Sequence, residues 1–183
     1  MVNAVYPSRV VRLWIMIAAL LVLTIVRVAG AAPAPASVEG TYVLDPGASD
    51  DVLKAIDGVV AEMSSLKAPF ARRRLRELNQ PPRRIDVAST ASDVSITTDE
   101  RDTIRTPADG RPVQWTRDDG ETFTIRSVWD ARTLKRVFVA DDGERANSYA
   151  FSPDGAMLRM SVVLTSPQLP GPLAYTLVYR RAH

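Results

Sequence analysis

Any chemistry in this chain has to be done without a thiol and nearly without an imidazole. There is no cysteine, and the one histidine, His183, is the last residue. The usual nucleophile–base pairs therefore cannot be assembled. No Gly-x-Ser-x-Gly, phosphate loop or metal-ligand spacing occurs. The acid pairs Asp118/Asp119 and Asp141/Asp142 are the nearest thing to a calcium site, but each stands directly before a turn glycine and lacks the alternating acids of a calcium loop. Turn formation explains both. No catalytic residue, metal or cofactor is expected. A hydrolase that works with carboxylates alone would need two of them to converge inside the fold.

Arginine and aromatic side chains remain for recognition. Arg72, Arg73, Arg74, Arg76, Arg83 and Arg84 form a dense cluster with a single Glu77 nearby. Either Arg72, Arg73, Arg76, Arg83 and Arg84 touch a surface such as anionic lipid headgroups, or they are a solvated face paired with acids of neighbouring strands. Trp115, Phe123, Phe138, Tyr149, Tyr175 and Tyr179 lie in strand-like stretches, as do Trp129 and Phe151. They either line a cavity for an apolar ligand or fill a solid core. Arg136 depends on register. If Leu134 and Phe138 face inward, Arg136 does too, and an inward arginine requires an acidic ligand or an acidic neighbour; if Val137 and Val139 face inward, it is exposed.

The elements that would position these residues fall into two blocks. Gly40 to Leu44 reads as a strand, and Asp45-Pro46-Gly47-Ala48 turns the chain. Ser49 then offers an N-cap, with Asp50 and Asp51 at the positive end of a helix dipole. Val52, Ile56, Val59, Val60 and Met63 recur at helical spacing. A second helix starts near Pro69, with Phe70, Leu75 and Leu78 as its apolar residues, and Asn79-Gln80-Pro81-Pro82 ends it. From Arg83 the period becomes two, as in Ile85/Val87, Val94/Ile96 and Phe123/Ile125. Strands are predicted near 83–89, 92–98, 101–106, 111–117, 121–129, 133–140, 144–152, 156–166 and 174–181. Asp109-Gly110, Asp119-Gly120, Asp142-Gly143 and Asp154-Gly155 mark tight turns, so successive strands are antiparallel neighbours. The sum is an all-β, up-and-down meander barrel of about ten strands with a helix-turn-helix insert after the first. Trp129, beside a turn, is placed as a plug near the barrel floor.

Residues 1–31 read as a secretory signal peptide: Arg9 and Arg12 precede the apolar run Leu13 to Val26, and Ala29-Gly30-Ala31 suits a signal peptidase. An uncleaved N-terminal membrane anchor is the other reading of this segment. Residues 32–38 form an Ala/Pro-rich spacer and 39–183 a single domain. The formal charge of +2 is misleading, because three of the 23 basic residues (Arg9, Arg12, Arg27) lie in the leader, leaving 20 against 21 acids, a net −1. That excludes a general electrostatic argument for nucleic acid. An exported chain without cysteine must be held by its core. Periplasmic or extracellular location follows from the leader; oligomeric state is not set by the sequence.

With one strand, two helices and nine further strands ending in Val178-Tyr179-Arg180-Arg181-Ala182, the chain resembles the calycin group, and within it the fatty-acid-binding proteins, whose opening Gly-Thr-Trp is similar to Gly40-Thr41-Tyr42. It also resembles a group of uncharacterised exported bacterial lipocalin-like proteins in its Gly-Thr-aromatic opening, Trp129-Asp130, the Ser152 to Gly155 turn and the closing Val-Tyr. The first resemblance implies an interior arginine in the third-last strand and an Arg-x-Tyr in the last, both for a ligand carboxylate. These positions fall here on Ala150 and Leu177, and only Tyr179 is retained. The expectation is a non-catalytic exported protein that carries or sequesters a small apolar or amphipathic ligand such as a lipid. The alternative is a solid-core envelope module that contacts a protein or, weakly, an anionic membrane through its basic helices.

Overall fold

The change of period at Arg83 is the change from lid to wall. The computed structural model describes residues 38–99 and 103–182; residues 1–37, which hold the leader and most of the spacer, lie outside them. The chain runs β1 (Gly40–Leu44), α1 (Val52–Val60), α2 (Ala68–Leu78), β2 (Arg84–Ser89), β3 (Asp93–Thr98), β4 (Ile104–Pro107), β5 (Val113–Thr116), β6 (Thr122–Asp130), β7 (Thr133–Ala140), β8 (Gly143–Phe151), β9 (Met157–Thr165) and β10 (Leu173–Arg181). All ten strands join one sheet in the order β4-β3-β2-β1-β10-β9-β8-β7-β6-β5. Every pairing is antiparallel, and β1 on β10 joins the first strand to the last. The barrel is nearly closed. Its seam lies between β4 and β5, and just beyond β4 the Asp109–Val128 bridge and a bond from Gly110 N to Ser127 O (2.9 Å) tie the chain to β6.

Alternation fixes which side chains enter the barrel. On β7, Leu134 and Arg136 are buried and Lys135 and Val139 exposed; on β8, Asn147, Tyr149 and Phe151 are buried; on β10, Leu173, Tyr175, Leu177 and Tyr179. β4 starts later than its pattern suggests, because Thr106 and Ile104 must oppose Val94 and Ile96 of β3. The end of the barrel away from the helices is filled. Trp129 and Tyr42 pack on Phe151 with ring centroids 6.0 and 5.6 Å apart, and the Tyr42 hydroxyl donates to the carbonyls of Val38 and Gly155. Each such aromatic contributes about 1.5–3 kcal/mol by burial.

The helices are attached by an extension of the β1 edge. β1 stops opposite Tyr179, which leaves the upper part of β10 without a strand neighbour on that side. Residues 45–50 take its place: Asp45 N and Asp50 N donate to the carbonyls of Val178 and Thr176, while Ser49 Oγ and the Asp50 carboxylate accept from Val178 N and Thr176 N. Ser49 and Asp50 are therefore ladder residues, and the N-cap of α1 is Asp51, which accepts from the amides of Leu53 and Lys54. Both requirements are thus met: Asp51 caps α1, while Ser49 and Asp50 pair with amides that β10 would otherwise leave without partners. α1 buries Val52, Ile56 and Val60 and packs on β10. α2 is held differently. Leu75 is its one buried side chain, whereas Phe70, expected on its apolar face, is 66% exposed.

Two turn glycines show two different requirements. Gly120 has φ of 87°, which only glycine adopts freely. Gly143 is not in the left-handed region; a Cβ there would lie on the Thr165 carbonyl oxygen of β9. At Asp142-Gly143 the glycine is thus needed for close approach of backbones, not for positive φ.

Candidate ligand-binding site

The barrel floor is packed, but its lid end is hollow. A cavity of about 820 Å³ lies between α2 and the turns that join β5 to β6, β7 to β8 and β9 to β10. Met63, Phe70, Leu75 and Leu78 face it from the lid, and Phe123, Phe138 and Leu164 from the wall. A second chamber of about 280 Å³ lies under the Gln80–Arg83 connector and is lined by Arg136, Asn147, Tyr149 and Met160 among others. Phe138 and Arg145 border both. The combination of a largely apolar volume with a few convergent polar groups is what small-molecule pockets have in common.

Arg136 is the most unusual residue of the site. It is 1% exposed, so Leu134, Arg136 and half-buried Phe138 are the inward set of β7. Its Nε donates to Ser127 Oγ at 2.9 Å, and its Nη2 to Thr106 Oγ1 at 3.1 Å and to the Val94 carbonyl at 3.3 Å. These partners lie on β6, β4 and β3, so the guanidinium reaches across the barrel seam. All are neutral. Among the described residues Arg136 has no acidic partner and its Nη1 makes no hydrogen bond. Burial lowers its pKa, with the nearby Tyr149 acting in the opposite direction. A guanidinium nevertheless keeps its proton in a protein, so the interior holds a positive charge compensated only by dipoles.

The other candidates separate into three groups. Trp115, Phe123 and Phe138, on β5, β6 and β7, form an aromatic row with centroids 5.8 and 6.4 Å apart; Phe123 and Phe138 line the large cavity and half-buried Trp115 backs Phe123. The Arg117 guanidinium lies 5.2 Å from the Phe123 ring and is paired with Asp119 and Glu121, which fixes that rim. Tyr149 lines the small chamber and accepts from Asn147 Nδ2. Tyr175 binds the lid instead, its hydroxyl donating to Asn79 Oδ1 and accepting from Arg145. Tyr179 is fully buried, its hydroxyl has no partner among the described residues, and burial pushes its phenol above the usual range.

The arginines of the cluster are divided among different partners. Arg72 and Arg76 pair with Asp57 of α1 at 2.8 and 3.5 Å, which holds the Asp57 carboxyl below its ordinary range, chiefly through the Arg72 hydrogen bond. Arg84 binds Asp86 on its own strand. The neutralising acids come from the first helix and from β2. Arg73 meets Glu77 only at 3.9 Å, and Arg83 borders the small chamber.

Arg145, Asn147, Asn79, Ser127 and Thr106 were not singled out in the sequence. The signal for the first two was present: Tyr149 and Phe151 set the inward register of β8, and counting back by two gives Asn147 and Arg145. The same register puts Ala150 on the outer side and Leu177, 1% exposed, on the inner. The two carboxylate-binding positions implied by the fatty-acid-binding proteins are thus empty of charge, and the interior cations sit on β7 and at the top of β8.

No family model matches the sequence, and no curated protein matches it. Solved structures do match in shape. A secretory abundant heat soluble protein from Ramazzottius varieornatus superposes with a TM-score of 0.56 at 8% identity, covering 82% of this chain and 100% of that one. Fatty-acid-binding protein 1 from Echinococcus granulosus gives 0.51 at 10% identity, covering 80% and 98%. Zebrafish ileal bile acid-binding protein, solved with cholic acid, gives 0.50 at 9%, covering 80% and 99%. At these identities the likeness is one of fold: this chain has the helix-lidded, ten-stranded fold of the fatty-acid-binding-protein-like calycin barrels.

Proposed function

We propose that this protein is a non-catalytic binding protein for a small amphipathic molecule, which it carries or sequesters, with an apolar body under α2 and an anionic head near Arg136. The carrying observation is a lid-side cavity of about 820 Å³ that adjoins, through Phe138 and Arg145, a chamber of about 280 Å³ lined by Arg136, a buried arginine with no acidic partner among the described residues. An apolar ligand alone would leave that charge uncompensated, while a carboxylate would give it the charge-assisted partner it lacks. The shape neighbours support the reading by their names, which include a fatty-acid-binding protein and a bile acid-binding protein. The leader reading of residues 1–31 assigns this role to the periplasm or the extracellular space. Of the five arginines weighed for a surface contact, Arg73 and Arg83 stand outside the Asp57 and Asp86 pairs, and a weak contact with an anionic membrane falls to them.

The reading is tested by titrating the ligand-free protein with dodecanoate and with dodecanol, following the emission of Trp115, which stacks on the cavity-lining Phe123. Saturable binding of both at one site, with the carboxylate preferred, is expected, and Trp115→Phe should remove the emission change while Trp129→Phe, at the packed floor, should not. Absence of saturable binding by either chain would overturn it.

A further inference from the structure

Arg145 is shared by both cavities and by the lid. Its Nη1 donates to Asn79 Oδ1 at 2.9 Å, its Nη2 to the Tyr175 hydroxyl at 3.1 Å and its Nε to Asn147 Oδ1 at 3.0 Å. Tyr175 donates in turn to the same Asn79 oxygen at 3.1 Å. Asn79 is 2% exposed and stands at the C-terminal end of α2, where its Nδ2 caps the Leu75 carbonyl at 2.8 Å. Leu75 is the one buried side chain of the helix, and the Arg72 and Arg76 pairs tie α2 to α1 rather than to the barrel. Besides the buried Leu75, the end of the lid is held to the wall by one amide oxygen, gripped by a cation from β8 and a phenol from β10.

Every acceptor of Arg145 is neutral, and among the described residues no carboxylate pairs with it. A charge-assisted bond to an anionic headgroup is roughly twice as strong as a bond to an amide oxygen, and a carboxylate can accept from two guanidinium nitrogens at once. We infer that Arg145 is exchanged between lid and ligand: without ligand it latches α2 through Asn79, and an anionic headgroup seated in the small chamber, which Arg136 and Arg145 both line, takes it over and loosens the lid. This rests on the binding role proposed above and adds to it the means by which an occupied site signals to its cover. Coupling of this kind is reciprocal: a bound anion weakens the latch by the same factor by which the latch weakens anion binding. A neutral amphiphile of the same chain length fills the apolar cavity without competing for Arg145.

Hydrogen exchange of the α2 amides distinguishes the two cases. In the intact protein, dodecanoate is expected to speed exchange at the C-terminal turn of α2 about tenfold, the scale of one charged hydrogen bond, while dodecanol leaves it unchanged or slower. Tyr175→Phe, which removes one of the two donors to Asn79, should raise exchange already in the empty protein and increase the preference for dodecanoate over dodecanol. Asn147→Asp, which gives Arg145 a carboxylate of its own and lets the Tyr149 hydroxyl donate in place of the lost amide, should weaken dodecanoate about tenfold relative to dodecanol. Binding of both chains with equal protection of α2 and no change of preference in either variant would overturn the latch and leave the binding role standing. Failure of both chains to bind would overturn the binding role, and the latch with it.

Discussion

Arg136→Met is the substitution that separates an anchor from a brace. Methionine has nearly the reach and volume of arginine without its charge or donors. The guanidinium makes three hydrogen bonds to neutral acceptors, the longest at 3.3 Å. Bonds from a charged donor contribute about 1.5–3 kcal/mol each, while burying the ion costs several kcal/mol that no acid offsets. Ser127 and Thr106 are not stranded by the change, since Thr106 Oγ1 donates to Ser127 Oγ at 2.8 Å. The terms nearly cancel, so the unfolding free energy of the empty variant should stay within about 2 kcal/mol of the parent in urea titrations. Carboxylate affinity should behave otherwise. Removing the charged partner of a buried anion costs about 2–5 kcal/mol, or about 30-fold to several thousand-fold in Kd, whereas dodecanol should change by less than about threefold. A variant that loses more than about 3 kcal/mol of ligand-free stability while keeping the parent's preference for dodecanoate would refute the reasoning. Arg136 would then be a tie from β7 to β3 and β4 that holds the seam shut.

Three further outcomes test the description of the barrel. Tyr179→Phe removes a fully buried hydroxyl without a partner among the described residues, and urea unfolding should show a gain of about 1 kcal/mol where an ordinary tyrosine-to-phenylalanine change in a core costs stability. Gly143→Ala puts a methyl group against the Thr165 carbonyl, and a loss of about 1–3 kcal/mol in the same assay, with weaker ligand binding because both residues border the large cavity, is expected. Asp119 has its pKa lowered to about 2, first by its hydrogen bond with Arg117 and then by the Glu121 amide. A depressed carboxyl contributes stability above its unfolded value of 3.8 and loses it as pH falls through the folded value of about 2. The stability difference between the parent and Asp119→Asn should therefore be constant down to about pH 4, shrink from there towards pH 2 and disappear below it; a difference that instead varied between about pH 5 and 8 would contradict this pairing.

The order of elements could be read from the chain because each is declared locally. Ile85/Val87 and Phe123/Ile125 show a period of two, Val52, Ile56 and Val60 a helical one, and the Asp-Gly pairs mark the hairpins. Which side of β7 faces in could not be read, because Leu134, Phe138, Val137 and Val139 make both faces apolar. Only pairing across the sheet, with Phe138 opposite Arg145 and Leu134 opposite Tyr149, decides it. The site depends on that decision: it turns Arg136 from a surface charge into the only fully buried cation among the described residues. Asn79 was legible as a helix stop but not as a latch. Its partners, Arg145 and Tyr175, are 66 and 96 residues distant in sequence and meet it only when β8 and β10 stand beneath the lid. Ser49 misled for a related reason. Local sequence offered it a helix N-cap, and the unpaired edge of β10, visible only in the closed sheet, claimed it first.

The most direct test of the central claim is native mass spectrometry of the protein purified without detergent from the cells that make it, with the bound fraction then extracted and identified. A stoichiometric small amphipathic anion, released by organic solvent and absent from the Arg136→Met variant, is the result expected. A mass equal to that of the chain alone, unchanged after incubation with a mixture of fatty acids, bile acids and phospholipids, would contradict a binding role for the cavities beneath α2.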